Sequence, residues 1–176
     1  MLIRTALFAA LTAVGGFIRI PLGVSSITLQ FLFTAMAGIL LGPMYGAISQ
    51  TLYVTLGLLG MPFFATGGGL LYFLQPTFGF LLGFIPAAAV IGFFTKDNGT
   101  RQRMVLGCAV GLLVMYVVGV PYMALILNGY LGREVSIQNL LWAALLPFLP
   151  GDAVKIAVCT AVCPVLRKRL FPIKKN

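Results

Sequence analysis

The chain has 176 residues, of which 60% are hydrophobic and 9% charged, and its formal net charge is +9. A soluble domain normally carries about 25% charged residues, so this composition excludes a soluble globular protein and indicates an integral membrane protein. The apolar runs are nearly continuous, which disfavours a β-barrel with its alternating strands. The basic residues lie in short connections and in the tail rather than on one face, which argues against nucleic-acid binding.

Six apolar runs predict a single all-α domain over residues 1–176, a bundle of six transmembrane helices. The runs are Leu2–Ile20, Ile27–Leu41, Met44–Leu59, Thr77–Thr95, Met104–Leu127 and Leu140–Leu166. Gly42-Pro43 separates the second run from the third, and Pro147 and Pro150 break the start of the sixth. The segment Gly60–Pro76, between the third and fourth runs, is apolar and glycine-rich. It predicts a loop folded back into the bundle or into the membrane interface.

The basic residues predict that both termini are cytoplasmic. With six spans, nine lysines and arginines fall on the side of the termini, while Arg19 and Arg133 fall on the other side and Lys155 lies within the membrane. Such a bias follows the positive-inside rule. The sequence therefore predicts a multi-pass protein whose connection between the first two runs faces outward.

The first run carries a stripe of alanines at helical spacing: Ala6, Ala9, Ala10 and Ala13. Small residues at i, i+3 and i+4 let a second helix approach closely. The stripe has two interpretations, which are packing inside the bundle and docking of another subunit.

Other polar or reactive residues inside the runs favour structural roles. Gln50 predicts a hydrogen bond between helices. Cys108, Cys159 and Cys163 are expected to be small packing residues, because an i,i+4 pair on one helix is poorly placed for a disulfide. The chain has no histidine and no second carboxylate close to Asp152, so it is not expected to be an enzyme or to hold a metal or cofactor.

The segment LLPFLPGDAVK places Asp152 and Lys155 three residues apart in an apolar run. Each ionised side chain in a membrane costs a few kcal/mol unless it has a partner. One interpretation is a helix cap combined with an i,i+3 ion pair, which explains Asp152 through the helix dipole. A lysine at a helix start opposes that dipole, so the pair is also interpreted as contacting a polar ligand.

The order of several segments resembles the BioY family, the biotin-binding S components of energy-coupling-factor (ECF) transporters. The segments are ALFAALTAVGGFIRIPLG, ITLQ, LLGPMYGAISQTLYVTLGLLGMPFFA, GGGLLYFLQPTFGFLLGF and LPFLPGDAVK. They cover nearly the whole chain, and their combination is more specific than any single motif.

The resemblance implies six transmembrane helices in the bacterial plasma membrane, with both termini cytoplasmic. It implies capture of biotin from outside and association with a transmembrane coupling (T) subunit and two cytoplasmic ATPases. The alanine stripe would then meet the coupling subunit. The alternatives are a secondary transporter of biotin or another small vitamin that acts alone, and an assembly protein that binds no solute.

The resemblance also implies the binding residues. Asp152 would accept hydrogen bonds from the ureido N–H groups of biotin, and Lys155 would donate either to the ureido carbonyl or to the carboxylate. Gln30 is the next candidate, because an amide can bond either edge of the ring. Tyr72 would pack on the bicycle, and the backbone N–H groups of Gly68 and Gly69 would bind the carboxylate.

Overall fold

The computed structural model describes residues 1–22, 25–96 and 99–170, and most of these residues are helical. The α-helices are α1 Leu2–Phe17, α2 Gln30–Leu58, α3 Phe78–Thr95, α4 Arg101–Ala124, α5 Ile137–Ala144 and α6 Leu149–Leu170. The shorter elements are the strands β1 Arg19–Leu22 and β2 Ser25–Thr28, the 3₁₀ helix Leu70–Leu74 and the π-helical segment Leu125–Tyr130. The predicted basic tail lies outside the described residues from position 171 onward.

Within the described ranges, four helical segments are long and apolar enough to cross a membrane: Gln30–Leu58, Phe78–Thr95, Arg101–Tyr130 and Leu149–Arg169. Helix α1 is also apolar but shorter. The chain is a mostly helical, multi-pass membrane protein.

The polypeptide reverses direction inside α2. Gly42 has a φ of +82°, a conformation that favours glycine, and Pro43 starts the second arm of the helix. The two arms, residues 30–41 and 43–58, then pack against each other, because a Cβ on Gly46 would lie 3.0 Å from the Cα of Gly38. The predicted break at Gly42-Pro43 is confirmed, and glycine at both contact positions permits the close approach.

A β-hairpin follows α1 and corrects the purely α-helical prediction. Helix α1 ends at Phe17 rather than continuing to Ile20. Strand β1 pairs antiparallel with β2, so that Arg19 lies opposite Thr28. Proline at position 21 fits a hairpin better than a helix interior, because it lacks the N–H that a helix needs.

The sixth apolar run is divided into α5 and α6. Helix α5 begins after Ser136, whose hydroxyl accepts a hydrogen bond from the Asn139 N–H at 3.2 Å. The turn that separates the two helices contains Pro147, in agreement with the predicted break at this point. Helix α6 starts at Leu149, so its first turn contains Asp152.

The apolar loop between α2 and α3 folds back onto the bundle, as the sequence predicts. Phe64 is buried, and its ring packs so closely on Gly57 that a side chain there would collide with it. The Gly69 N–H donates to the Gly57 carbonyl at 2.7 Å. The ring of Phe64 also contacts Tyr53 and Tyr72, with centroid distances of 5.6 and 4.4 Å.

The hairpin, this loop and the start of α6 meet at one end of the bundle, which we call the hairpin end. Here the Arg19 guanidinium donates to the Ala65 carbonyl. At the opposite end, the Arg167 guanidinium donates to the carbonyls of Thr95 and Lys96 at 3.1 and 3.2 Å. Asp152 and Lys155, near the start of α6, lie toward the hairpin end.

Candidate functional site

A cavity opens within the bundle at the hairpin end. The volume within it that the centre of a water molecule can occupy is about 130 Å³. By the same measure, a cavity needs only about 10–15 Å³ to hold one water. The residues that line it come from the hairpin, from the loop between α2 and α3, from α2, α3, α4 and α6, and from the turn before α6. They are Ser26, Thr28, Gln30, Phe31, Ala65, Thr66, Tyr72, Gln75, Thr77, Phe80, Leu81, Phe84, Met115, Tyr116, Phe148, Asp152 and Lys155.

The charged part of the cavity wall is the ion pair of Asp152 and Lys155. Together with Tyr116 these side chains form what we call the cavity cluster. The Lys155 ammonium donates to Oδ1 of Asp152 at 2.8 Å, and the Tyr116 hydroxyl donates to Oδ2 at 2.7 Å. Asp152 is 3% exposed and Lys155 is 7% exposed. The carboxylate is thus held on both oxygens by side chains from two helices.

This arrangement agrees with the ion-pair interpretation of the LLPFLPGDAVK segment, and contact with a polar ligand stays a prediction. Asp152 lies in the first turn of α6, where the helix dipole favours a negative charge. It also neutralises Lys155, which the same dipole disfavours. Each carboxylate oxygen can accept a second hydrogen bond, and the ammonium carries three hydrogens, of which one points to Asp152. The ion pair is therefore formed, and acceptor and donor capacity remains on the cavity side.

Gln30 and Tyr72 also line the cavity, and each is held by neighbours. The Gln30 amide donates to the Tyr53 hydroxyl and accepts a hydrogen bond from the Thr28 hydroxyl at 3.0 Å. The Tyr72 hydroxyl accepts from the Thr66 hydroxyl at 3.0 Å. Both positions predicted from the sequence thus face the same space as Asp152 and Lys155.

Gly68 and Gly69 lie elsewhere. They border a shallow apolar depression with Leu58–Gly60 and Leu70–Leu71, not the cavity. The Gly69 N–H is directed to the Gly57 carbonyl. A side chain at Gly68 would collide with the Met61 carbonyl, so this glycine permits a close backbone approach inside the loop.

Several cavity residues do not follow from any local pattern in the sequence. Tyr116 is separated from Asp152 by 36 positions, and only the packing of α4 near α6 brings them together. Thr66 lies near the middle of the loop and Gln75 near its end, and Phe148 lies in the turn before α6. A tyrosine in the middle of an apolar run was the available signal for Tyr116, since its hydroxyl needs a partner when buried.

Aromatic and apolar side chains form the remaining wall. Phe80 packs edge-on against Tyr116 with a centroid distance of 5.9 Å. Phe84, Leu81 and Met115 extend this surface. A cavity with one polar corner and an apolar wall suits a small ligand whose polar and apolar parts are separated.

The alanine stripe of α1 is divided by the fold. Ala9 and Ala13 are buried, each 4% exposed, and pack inside the bundle. Ala6 and Ala10 are exposed, on a face that also carries Ile3, Leu7 and Val14. Ala9 and Ala13 therefore fit packing inside the bundle, and Ala6 and Ala10 fit docking of another subunit.

Similarity to known proteins extends over nearly the whole chain. The model of the BioY family matches residues 1–171. A protein of Lysinibacillus sphaericus named probable biotin transporter BioY is 40% identical over 178 residues, covering 99% of this chain and 88% of the relative. The biotin transporter BioY of Thermotoga maritima is 34% identical over 168 residues, covering 95% of both chains.

A solved structure has the same fold. It is the crystal structure of the S-component for biotin from an ECF-type ABC transporter, which is similar with a TM-score of 0.83 and 28% sequence identity. The similarity covers 95% of this chain and 90% of the solved one. The relatives are named as transporters rather than enzymes. With its family match, its close relatives and its fold all in agreement, this chain belongs to the BioY family.

Proposed function

We propose that this chain is the substrate-binding S component of an ECF-type importer and that its cavity binds biotin. The observation that carries the proposal is the buried pair of Asp152 and Lys155 on the wall of a cavity, in a chain of the BioY family. A ureido ring needs both a hydrogen-bond acceptor and a donor, and this pair supplies them side by side.

The ureido ring lies against the cavity cluster in the proposed complex. Asp152 accepts from the ring N–H groups through its remaining acceptor positions, and Lys155 donates to the ring carbonyl. Gln30 lies on the same cavity wall and offers a further polar contact. The apolar bicycle packs on Tyr72 and Phe80. Gly68 and Gly69 are not part of the proposed contact, since they lie outside the cavity lining.

The proposed topology has six membrane-crossing helices in the bacterial plasma membrane, counting the two arms of α2 separately. It leaves both termini cytoplasmic and turns the hairpin end outward. The positive-inside bias supports this orientation, because the proposed topology assigns nine lysines and arginines of the sequence to the cytoplasmic side and Arg19 and Arg133 to the outer side. A cavity at the hairpin end then receives its ligand from outside.

The proposed partners are a transmembrane coupling (T) subunit and two cytoplasmic ATPases, and the proposed contact is the face of α1 with Ala6 and Ala10. Small exposed residues there support close helix packing. Replacing both with leucine should abolish co-purification with the coupling subunit and spare biotin binding. Ala109→Leu, at an exposed alanine on α4, is the matched control. Loss of biotin binding in the double variant, or normal assembly, would contradict this contact.

The test of the proposed function is a titration of labelled biotin against the detergent-solubilised chain, with thiamine and riboflavin as competitors. We expect saturable binding that unlabelled biotin displaces and the other two vitamins do not. Absence of saturable binding, or stronger displacement by another vitamin, would overturn the proposal.

A further inference from the structure

We propose that Arg19, on the first strand of the hairpin, binds the carboxylate of the ligand at the mouth of the cavity. This inference rests on the proposed function, because it assigns the second charged contact of the same ligand. It concerns a residue that lies outside the cavity lining and outside the cavity cluster.

The charge inside the cavity creates the need for such a contact. Lys155 is the only cation among the described residues that line it, and its ammonium is 2.8 Å from Asp152. The two charges cancel, and a carboxylate brought to Lys155 would also approach the carboxylate of Asp152. An anionic tail is therefore better placed away from the cavity cluster, near a cation of its own.

Two independent contacts place Arg19 at the edge of the cavity. It is paired across the hairpin with Thr28, and directly opposed residues project from the same face of a two-stranded ribbon. Its guanidinium reaches the carbonyl of Ala65 in the loop. Both Thr28 and Ala65 line the cavity. Arg19 thus connects two segments that line the cavity, the hairpin and the loop.

The guanidinium has capacity for a ligand. It carries five N–H donors in a planar fork that matches a carboxylate, and one of them is directed to Ala65. In the described part of the chain, the single ion pair joins Asp152 and Lys155, so Arg19 has no acidic partner there. The side chain is exposed, which leaves the remaining donors open to an incoming anion.

The cavity cluster and Arg19 together define one orientation of the bound ligand. Its neutral polar ring is at the cavity cluster on α6, and its carboxylate is at the hairpin. Thr66, which lines the cavity next to Ala65, provides a hydroxyl close to the same edge. The hairpin and the loop then both contact the bound ligand, and Arg19 links them.

The test compares biotin with biotinamide, in which a neutral carboxamide of nearly the same shape replaces the carboxylate. Dissociation constants are measured for the purified wild-type chain and for Arg19→Gln. We expect wild type to prefer biotin, and Arg19→Gln to weaken biotin binding by about tenfold or more while biotinamide stays within about twofold. Retained biotinamide binding also demonstrates that the variant is folded.

Two further variants sharpen the result. Arg19→Lys keeps the charge but not the planar fork, and it should retain part of the preference for biotin. Arg133→Gln removes another exposed arginine from the hairpin end and should change neither constant. Unchanged biotin binding in Arg19→Gln, or an equal loss for both ligands, would overturn the assignment and leave Arg19 as a tie between hairpin and loop. A wild-type chain that binds no biotin would instead overturn the proposed function.

Discussion

Two of the buried polar clusters in the described part of this bundle differ in charge and in what they border. The cavity cluster of Tyr116, Asp152 and Lys155 contains an ion pair and lines an open space. A second group, which we call the core cluster, consists of Thr12, Thr34 and Gln50. All three of its residues are fully buried, and none of them lines the cavity.

The core cluster satisfies its own hydrogen bonds. The Thr34 hydroxyl is 3.0 Å from Oε1 of Gln50, and Nε2 of Gln50 donates to the Thr12 hydroxyl at 3.3 Å. These bonds join α1 to both arms of α2, which confirms the predicted interhelical role of Gln50. The Thr12 hydroxyl donates to the Phe8 carbonyl at 2.8 Å. The Thr34 hydroxyl, which has one hydrogen, shares it between Oε1 of Gln50 and the Gln30 carbonyl, each at 3.0 Å. Nothing in this cluster requires a ligand.

The difference teaches that polarity inside a membrane bundle does not by itself mark a binding site. Neutral polar groups can satisfy one another with hydrogen bonds. Such hydrogen bonds between helices in membranes contribute about 0.6 kcal/mol on average. Charges are more costly to bury, and the cavity cluster keeps unused donors and acceptors beside a space. Residual hydrogen-bonding capacity next to a cavity is the feature that separates the two clusters.

The largest effect is expected from Asp152→Asn, which keeps the shape of the side chain and removes its charge. Biotin binding should weaken by more than about tenfold, because a hydrogen bond to a charged group contributes about 1.5–3 kcal/mol. The variant should still insert into the membrane. The measurement is the dissociation constant for biotin, and Glu134→Gln, at an exposed acid in the loop after α4, is the matched control.

A second variant separates binding from stability at this site. Asp152→Asn leaves Lys155 as an unpaired buried cation, whereas the double variant Asp152→Asn with Lys155→Gln removes both charges. The double variant should recover thermal stability without recovering affinity. If Asp152→Asn binds biotin normally, Asp152 serves only the helix start and its ion pair.

A smaller effect is expected from Tyr116→Phe. The change removes the hydroxyl that holds Oδ2 of Asp152 and keeps the ring that packs on Phe80. Losing one such hydrogen bond should weaken biotin binding by about three- to tenfold, which corresponds to about 0.7–1.4 kcal/mol.

Tyr130→Phe, at an exposed tyrosine near the hairpin end, should have no effect on the biotin dissociation constant. An unchanged constant in Tyr116→Phe would mean that Lys155 alone positions the carboxylate of Asp152.

Much of the fold follows from the sequence because long apolar runs and their breaks are local features. Gly42-Pro43 predicts the reversal in α2, since a positive φ at glycine and a proline at a helix start are properties of those two residues. The hairpin at Arg19–Leu22 is not predicted. A strand of only four residues that directly follows an apolar helix cannot be told from the end of that helix by hydrophobicity alone.

The candidate site is only partly predictable for a related reason. Asp152 and Lys155 stand out because charges are rare in this chain, and their spacing places them on one side of α6. Tyr116 depends on how α4 packs near α6, which no local pattern specifies. Gly68 and Gly69 lie in the predicted loop, but its turns, with φ of +126° at Gly67 and +101° at Gly69, place them outside the cavity lining.

The smallest effect on binding is expected from Gln50→Leu, which tests the core cluster directly. The biotin dissociation constant should stay within about twofold, while the free energy of unfolding should fall by about 1 kcal/mol through the loss of two interhelical hydrogen bonds. Thr12 and Thr34 keep their bonds to backbone carbonyls, so neither hydroxyl is left unsatisfied, whereas the buried Ser49 hydroxyl loses its bond from the Gln50 amide at 3.4 Å. Thermal unfolding in detergent measures the stability, and Thr51→Val, at an exposed neighbour on α2, is the control. A tenfold loss of biotin affinity in Gln50→Leu would show that the two clusters act as one, since Gln30 contacts Thr34 through its carbonyl and lines the cavity with its side chain.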